Sequence, residues 1–302
     1  MRDRDYTVKE YGEQIVPGFA YRFEGEQLIS ERSAFQQIDV YENESFGRLL
    51  ALDGLTQTTE RDEFIYHEML VHVPLISLPE PRRVLIIGGG DGGTLRRVLE
   101  HPTVERAVMV EIDERVTQLC RELMPSIAGE AFDDPRAEVH FADGIAYVRD
   151  GGESFDAILI DSSDPVGPGE GLFTIDFYRA ARGRLNDDGV LCAQSGSPGF
   201  QQDELHRTYK HATAAFDDVR VYVGFVPTYP GGMWSFTLAG SRLNLDPVVA
   251  AARADERKLQ TRYWRPELQR GAFDAPQIVH DVVAPDGPPH TWGLSPAEHE
   301  RG

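Results

Sequence analysis

Residues 84–93, with the sequence VLIIGGGDGG, constrain the fold of this chain more than any other stretch. The four consecutive apolar residues 84–87 are typical of a strand that is buried on both faces, as in a parallel sheet. A run of glycines then ends the strand, and helical periodicity resumes at Thr94. A strand, glycine turn and helix in this order let a ligand contact the backbone at the carboxyl end of the strand.

The glycine turn contains one residue that a dinucleotide site would not favour. Gly88, Gly90 and Gly93 fit the pattern GxGxxG, and Glu111 follows about 20 residues later, where a ribose would be held. Asp91 lies inside the turn, and its carboxylate would repel a pyrophosphate. We therefore expect a ligand other than a dinucleotide, the alternative being a tight turn with a surface aspartate.

From residue 84 onward, the hydrophobic pattern alternates between that of strands and that of helices. The apolar runs predicted as strands are residues 84–87, 107–110, 137–141, 155–160, 190–193, 219–223 and 234–239. Helical periodicity predicts helices over residues 94–99, 114–123 and 202–216. This alternation is typical of an α/β domain with a mostly parallel sheet.

The first 77 residues have a different pattern. Short segments at 21–23, 35–41 and 48–52 are separated by turn residues, which predicts a small antiparallel β domain. Helical spacing over residues 61–77 predicts a helix that leads into the second domain. Proline and glycine are frequent from residue 284, as in a loose tail. We therefore predict an N-terminal β domain at 1–77, an α/β domain at 78–283 and a loose C-terminal tail at 284–302.

The charge balance of the chain is strongly acidic. It has 50 acidic and 30 basic residues and a formal net charge of -20, and its lysines are Lys9, Lys210 and Lys258. Such a charge repels phosphates and excludes nucleic acid as a partner. Adaptation to a salt-rich cytoplasm, as in a halophile, accounts for most of the acidity. A cationic ligand is compatible with it, but must be argued from particular carboxylates.

We expect neither a membrane segment nor a leader. No stretch approaches 18 consecutive apolar residues, and the first residues carry mixed charge with no apolar region behind them. The two cysteines, Cys120 and Cys192, make neither a disulfide framework nor a zinc site. We therefore predict a cytoplasmic protein without a membrane partner.

Acidic residues follow four successive predicted strands, at the point where each strand ends. They are Asp91, Glu111, Asp143 and Asp161, with Asp164 three residues further along. One such acid often caps a helix, but together they form an electronegative crevice where open α/β sheets bind ligands. Glu111 stands where a ribose diol is held, and Asp143-Gly144 where an adenine amino group could bind. Asp91, Asp161 and Asp164 are left to face the rest of the ligand.

Three carboxylates favour cations. They would repel the carboxylate of S-adenosylmethionine but attract the aminopropyl cation of decarboxylated S-adenosylmethionine, and also a diamine. Displacement at the propyl carbon joins these two, with methylthioadenosine leaving. An alkylamine with a pKa near 10.4 is only about one part in 10³ neutral at pH 7. A carboxylate whose pKa is raised by a like-charged neighbour is suited to take its proton.

Four blocks of the sequence resemble a known family. They are residues 59–69 (TERDEFIYHEM), 86–93, 110–113 (VEID) and 161–168 (DSSDPVGP). In this order they are similar to the signature blocks of the spermidine synthases, which are polyamine aminopropyltransferases, and the resemblance runs over about residues 6–276. It implies a small N-terminal β domain, a methyltransferase-like Rossmann catalytic domain and a homodimer or homotetramer. It implies no metal, and no cofactor apart from decarboxylated S-adenosylmethionine as co-substrate.

The resemblance also implies roles for particular residues. It implies that the donor nucleoside is contacted by Gln36, Glu111, Asp143, Gly144 and Pro168. It implies that the amine and the aminopropyl tail are contacted by Tyr66, His67, Asp91, Asp161 and Asp164. Tyr229 resembles a tyrosine that orients the attacking amine, Asp161 resembles the proton acceptor, and residues 162–172 resemble a loop that closes over both substrates.

Each role has a structural alternative. A helical His67 is commonly a packed or capping residue, and Tyr66 and Tyr229 could be aromatic residues of the core or its rim. Trp234 is expected in the core, although it could narrow the amine pocket. We interpret His72, His101 and His140 as structural or surface residues, since no spacing among them predicts a metal site.

The acceptor amine is left open between putrescine and agmatine. The neighbourhood of residues 194–197 departs from the family, as does the segment 263–265. A guanidinium prefers a bidentate carboxylate, and no unambiguous one lies near residues 194–197, so we favour putrescine. Two other classes stay open: a methyltransferase that uses S-adenosylmethionine itself, and a catalytically silent nucleoside-binding protein.

Overall fold

The computed structural model describes residues 9–163 and 167–285. The first part of the chain forms a five-stranded antiparallel sheet in the order β1-β2-β3-β4-β5. Its strands are β1 (Lys9–Val16), β2 (Phe19–Arg32), β3 (Gln37–Asn43), β4 (Gly47–Leu52) and β5 (Leu55–Thr59). The predicted small β domain is confirmed, with two strands, β1 and β5, that the sequence pattern had not marked.

The first helix, α1 (Glu63–Ser77), follows the small sheet and packs on the larger one. Nearly all of its side chains are buried, which explains why its apolar residues do not keep to one face. The predicted boundary at residue 77 assigns this helix to the first domain, whereas its packing groups it with the second sheet. How the chain divides into independent units stays a prediction.

The second sheet has seven strands in the order β11-β12-β10-β9-β6-β7-β8. The strands are β6 (Arg83–Gly88), β7 (Arg106–Glu111), β8 (Ala137–Phe141), β9 (Phe155–Asp161), β10 (Leu185–Gln194), β11 (Asp218–Phe225) and β12 (Met233–Gly240). Strands β6 to β10 pair in parallel, and β12 pairs antiparallel with both β10 and β11. Residues 84–87 are buried in the middle of this sheet, as their unbroken apolar run predicts.

Helices cover both faces of the second sheet. They are α2 (Gly93–Leu99), α3 (Glu114–Leu123), α4 (Pro125–Ala128), α5 (Gly144–Asp150), α6 (Ile175–Gly183), α7 (Gln202–Thr213), α8 (Pro247–Arg257), α9 (Pro266–Phe273) and α10 (Gln277–Val282). Helix α7 ends before the predicted residue 216, and the helices α4 to α6 and α8 to α10 had not been predicted. The expected α/β class with a mostly parallel, Rossmann-like sheet is confirmed. Within the described residues, no helix is long and apolar enough to cross a membrane.

The small sheet packs on the α/β domain through an apolar layer. Ile38, Val40 and Leu50 of the small sheet share a buried cluster with Val116 and Leu119 of α3. Because the inward side chains of β3 alternate with outward polar ones, a shift of one residue in register would remove this contact. This layer holds the small sheet beside the carboxyl ends of strands β6 and β7.

Candidate active site

The glycine turn after β6 lies directly against the end of β9. Gly88 and Gly89 have φ values of +85° and +76°, which side chains rarely adopt. The amide of Gly89 donates to the carbonyl of Asp161 at 2.8 Å. A Cβ atom on Gly88 would lie 2.1 Å from that same carbonyl oxygen. Glycine is therefore required here for both backbone conformation and space.

A cavity enclosing about 940 Å³, part of it open to solvent, lies at this edge of the sheet. It brings together every predicted site residue whose side chain is described. Those residues are Gln36, Tyr66, His67, Asp91, Glu111, Asp143, Gly144, Asp161 and Tyr229. Asp164 lies outside the described residues. Pro168 lies in a short 3₁₀ helix, Gly167–Phe173, and nothing is described of its side chain.

One end of the cavity is lined by residues of the β7 and β8 ends. Glu111 is buried, and this raises its pKa to about 7. One of its oxygens accepts from the amide of Asp113 at 2.8 Å. Asp143 caps α5 by accepting from the amide of Ile145 at 2.8 Å. The carboxylates are thus held by backbone amides rather than by cationic side chains.

Gln36 reaches this end of the cavity from the small sheet. Its side-chain amide donates to Asp113 at 3.0 Å, and the hydroxyl of Ser33 donates to the same carboxylate oxygen at 2.6 Å. The other oxygen of Asp113 accepts from the amide of Arg115 at the start of α3. Asp113 therefore ties the segment after β2 to the α/β domain and orients Gln36.

Asp161 and Tyr66 meet deeper in the cavity. The Tyr66 hydroxyl donates to Oδ1 of Asp161 at 2.8 Å. Oδ2 of Asp161 is buried and forms no hydrogen bond within the described part of the chain. Burial raises the pKa of Asp161, the imidazolium of His67 opposes the shift, and the charge of Asp91 adds to it. A carboxylate with a raised pKa and a free oxygen is suited to accept a proton.

His67 lies between two carboxylates. Its Nδ1 is 2.8 Å from Oε2 of Glu63, and its Nε2 is 3.5 Å from Oδ1 of Asp91. Burial alone would lower the pKa of His67, but Asp91 and Glu63 outweigh burial and hold that pKa well above its usual value. Both ring nitrogens therefore act as donors, which leaves none to accept from an ammonium group.

The pKa of Asp91 is shifted in the opposite direction to that of Asp161. Burial favours its neutral form, but the His67 imidazolium and the amide of Gly93, at 2.8 Å, together lower its pKa. Ligand atoms of His67, Asp91 and Asp161 lie within 4.8 Å of one another. Both ring nitrogens of His67 already face carboxylates, so we interpret Asp91 and Asp161 as a site for an organic cation.

A second, smaller cavity of about 370 Å³ adjoins the first. Gln57, Tyr66 and Tyr229 line both cavities, and the second also receives Glu13 and Trp234. Oε2 of Glu13 accepts from the amide of Thr56 at 2.9 Å. Sequence reasoning missed Glu13 and Gln57 because β1 and β5 had not been recognised: residues 9–16 (KEYGEQIV) do not alternate between apolar and polar side chains.

Family models and known proteins match this chain over most of its length. The model of the spermine/spermidine synthase domain matches residues 63–247, and that of the spermidine synthase tetramerisation domain matches residues 11–60. A polyamine aminopropyltransferase of Desulforudis audaxviator is 46% identical over 256 residues, covering 85% of this chain and 92% of that protein. One of Erwinia tasmaniensis is 42% identical over 282 residues, covering 92% and 99%.

Two solved structures are similar to the whole fold. A spermidine synthase in complex with the transition state analogue AdoDATO has a TM-score of 0.88 and 38% sequence identity, covering 93% of this chain and 98% of that one. The spermidine synthase from Thermotoga maritima has a TM-score of 0.86 and 37% identity, covering 93% and 97%. Sequence and structure thus point to the same family.

Proposed function

The chain belongs to the spermine/spermidine synthase family and is an aminopropyltransferase, and on that premise we propose that it is a spermidine synthase. It transfers the aminopropyl group of decarboxylated S-adenosylmethionine to putrescine, giving spermidine and methylthioadenosine. The observation that carries this proposal is the partly buried Asp161, with its raised pKa, its Tyr66 partner and an Oδ2 that forms no hydrogen bond within the described residues. The methyltransferase and the silent binding protein have no comparable support.

Asp161 is the proposed proton acceptor. An ammonium group of putrescine loses a proton to the free oxygen of Asp161, and its nitrogen lone pair attacks the propyl carbon of the donor. The carbon–sulfur bond breaks, and its electron pair stays on the sulfur of methylthioadenosine. Tyr66 orients the Asp161 carboxylate, and Tyr229, which also lines both cavities, helps to orient the amine.

Asp91 is the proposed partner of the donor's aminopropyl ammonium. Its lowered pKa keeps it ionised, and a carboxylate at this point repels the extra carboxylate of S-adenosylmethionine. At the other end of the cavity, Glu111 is proposed to hold the ribose hydroxyls. Asp143 and Gln36 are the proposed adenosine contacts beside it, together with Gly144. Asp164 is proposed to contact the amine and the aminopropyl tail, and Pro168 is proposed to contact the donor nucleoside.

Glu13 supports putrescine over agmatine as the acceptor. It is the carboxylate that the smaller cavity offers to the remote end of a diamine. One of its oxygens already accepts from the amide of Thr56. An ammonium group needs only one oxygen, whereas a bidentate guanidinium would have to share the oxygen that already accepts from Thr56.

Product analysis by mass spectrometry tests the function. Enzyme with decarboxylated S-adenosylmethionine and equimolar putrescine and agmatine should yield mainly spermidine and methylthioadenosine. Mainly aminopropylagmatine would overturn the acceptor while leaving aminopropyl transfer intact. Methylated products from S-adenosylmethionine, with no aminopropyl product, would contradict the function itself.

Calorimetry with two donors tests the role of Asp91. Decarboxylated S-adenosylmethionine should bind roughly ten-fold or more tightly than S-adenosylmethionine, since a close charge contact is worth at least about 1.4 kcal/mol in a buried site. Asp91→Asn should shrink that ratio by weakening the first donor and not the second. Equal affinities in the parent enzyme would contradict the assignment.

The match of residues 11–60 to a tetramerisation domain supports an oligomer. We propose a homodimer or a homotetramer, and light scattering would distinguish between the two.

A further inference from the structure

Two charged residues lie behind the cavity wall and are absent from its lining. Oε1 of Glu63 is 3.3 Å from Nη2 of Arg97, and Oε2 of the same carboxylate is 2.8 Å from Nδ1 of His67. The side chains of Glu63 and Arg97 are each 5% exposed. Arg97 also donates to Oε1 of Glu100 at 2.6 Å. Glu63 therefore joins an arginine on α2 to the histidine that faces the substrate cavity.

The groups around His67 come from three elements. Asp91 follows β6, Asp161 ends β9, and Glu63 and Tyr66 lie on α1 with His67 itself. Glu63 is the acceptor for Nδ1, and Asp91 faces Nε2. Because Arg97 engages the other oxygen of Glu63, the Glu63 carboxylate is held in one orientation, with Oε2 toward the imidazole.

The position of the ring is restricted from the other side as well. A Cβ atom on Gly93 would lie 2.2 Å from Cε1 of His67 and 2.4 Å from its Nδ1. The start of α2 thus approaches the imidazole as closely as a glycine permits. His67 can keep Nε2 toward Asp91 only in this orientation of the ring.

We propose that Glu63 and Arg97 are positioning residues for aminopropyl transfer: Arg97 holds Glu63, and Glu63 holds His67 as a doubly protonated ring whose Nε2 proton is directed at Asp91. This inference rests on the proposed role of Asp91 as the partner of the donor's ammonium. The imidazolium keeps the Asp91 carboxylate ionised and fixed before the donor arrives. Without Glu63, His67 loses one of the two carboxylates that retain its proton.

Nuclear magnetic resonance of ¹⁵N-histidine-labelled protein tests the first link independently of activity. The His67 signals are assigned by their loss in His67→Gln. In the parent protein, both ring nitrogens should stay protonated through pH 8. In Glu63→Gln, the pKa of His67 should fall by roughly one to two units, the usual effect of losing one close charge partner.

Glu100→Gln is the matched control. It makes the same chemical change on the opposite side of Arg97, where the carboxylate does not contact His67. In Glu100→Gln, the pKa of His67 should equal that in the parent protein. An unchanged titration in Glu63→Gln, or an equal shift in both variants, would overturn the proposal, because only a general charge effect would remain.

Steady-state kinetics tests whether the link acts on the donor. In Glu63→Gln, kcat/KM for the donor should fall more at pH 9 than at pH 6.5, because a lowered His67 pKa lets the ring lose its proton more readily as the pH rises. A merely structural defect would lower kcat/KM equally at both values. Such an equal loss would count against the proposal.

Arg97→Gln keeps both carboxylates around His67. It provides a second test of the proposal if Glu63→Gln does not fold. Because loss of the Arg97 charge does not itself lower the pKa of His67 and both carboxylates remain beside the ring, the ring should stay doubly protonated. The donor's kcat/KM should nonetheless fall several-fold, because Glu63 loses its anchor. The double variant with Glu63→Gln should be no worse than Glu63→Gln alone. Parent-like kinetics in Arg97→Gln, or losses that multiply in the double variant, would overturn the role of Arg97.

These readouts separate the two proposals. A parent protein that transfers no aminopropyl group contradicts the proposed function, while the His67 titration still supports or overturns the link through Glu63.

Discussion

Two partly buried carboxylates of one cavity, Asp91 and Asp161, have pKa values that are shifted in opposite directions. Asp91 receives a hydrogen bond from Gly93 and faces the His67 imidazolium, so its pKa is lowered despite burial. Asp161 receives the Tyr66 hydroxyl on one oxygen, but burial outweighs both this bond and the His67 imidazolium, so the pKa of Asp161 is raised. Where the surroundings of two acids push their pKa values apart, one is suited to bind a cation and the other to accept a proton.

We expect Asp161→Asn to lower kcat by roughly 10²–10⁴-fold, the usual contribution of a positioned base. The amide keeps the shape of the carboxylate and can still meet Tyr66, so donor binding measured by calorimetry should change little. Asp176→Asn, at a side chain that is 90% exposed, is the matched control and should retain parent kinetics. Turnover close to that of the parent in Asp161→Asn would contradict its assignment as the base.

Helix α1 contacts two separate regions of the molecule. One part carries Tyr66 and His67 to the cavity and Glu63 behind its wall. Further along, Glu68 accepts the amides of residues 262–264, which anchors the segment between α8 and α9. Because α1 is buried on nearly every side, a helix shift in either region would be transmitted to the other.

A hairpin of the small sheet supports the segment that carries Tyr229. The Tyr21 hydroxyl on β2 accepts from the amide of Gly231 at 2.6 Å and lies 3.3 Å from the carbonyl of Tyr229. The Tyr229 hydroxyl in turn donates to the carbonyl of Gln57 at 2.6 Å. The small sheet therefore holds one wall shared by both cavities.

We expect Tyr21→Phe to raise KM for the amine about three- to ten-fold, as the loss of one hydrogen bond of about 1 kcal/mol would. The proposed donor site lies at the other end of the larger cavity, so KM for the donor should stay near that of the parent. Steady-state kinetics with each substrate varied in turn measures both. A rise confined to the donor would show that the hairpin acts elsewhere.

Helices α1, α2 and α8 meet at a buried pair of histidines. Nη1 of Arg257 is 3.1 Å from Nδ1 of His101, and Nε2 of His101 is 3.0 Å from Nδ1 of His72. Since arginine is always a donor, His101 carries its proton on Nε2 and donates it to His72. Burial, with the nearby arginines, lowers the pKa of His72 to about 3.

We therefore expect acid to destabilise the fold through His72. Between pH 6.5 and 3 the unfolded chain binds a proton at this histidine and the folded chain does not, so stability falls as the pH falls. The loss should reach up to about 3 kcal/mol at pH 4, since each pKa unit is worth about 1.4 kcal/mol. Urea unfolding at several pH values should show a shallower pH dependence in His72→Gln than in the parent. Equal slopes in the parent and in His72→Gln would contradict this account.

The stability of the whole molecule depends on its net charge and on its assembly. A formal charge of -20 means that the surface repels itself in dilute buffer. A family match to a tetramerisation domain covers the small sheet, so this charge has to be accommodated between subunits as well. Added salt should therefore favour both the folded chain and its assembly.

We expect Tm to rise between about 0.1 M and 2 M KCl, because the Debye length falls from about 10 Å at 0.1 M to about 3 Å at 1 M. Calorimetry at constant protein concentration measures this rise without a confounding change in assembly by dilution. A flat or falling Tm would count against adaptation to high salt.

The sequence by itself determined the α/β class, the positions of the parallel strands and the acids that follow them. These signals are local: an apolar run predicts a buried strand, and a residue after that strand has to lie at the binding edge of the sheet. Asp91, Glu111, Asp143 and Asp161 were therefore named correctly as neighbours. Their individual roles came from a resemblance of motifs, which spacing alone could not supply.

Only the tertiary structure decided which partner each group meets. Glu13 enters the smaller cavity from the edge of another sheet, and Arg97 reaches His67 through Glu63. The charge of His67 follows from two carboxylates that lie 4 residues before it and 24 residues after it in the chain. Burial and long-range electrostatics set these properties. Both depend on how distant segments pack, and no local pattern in the chain encodes that packing.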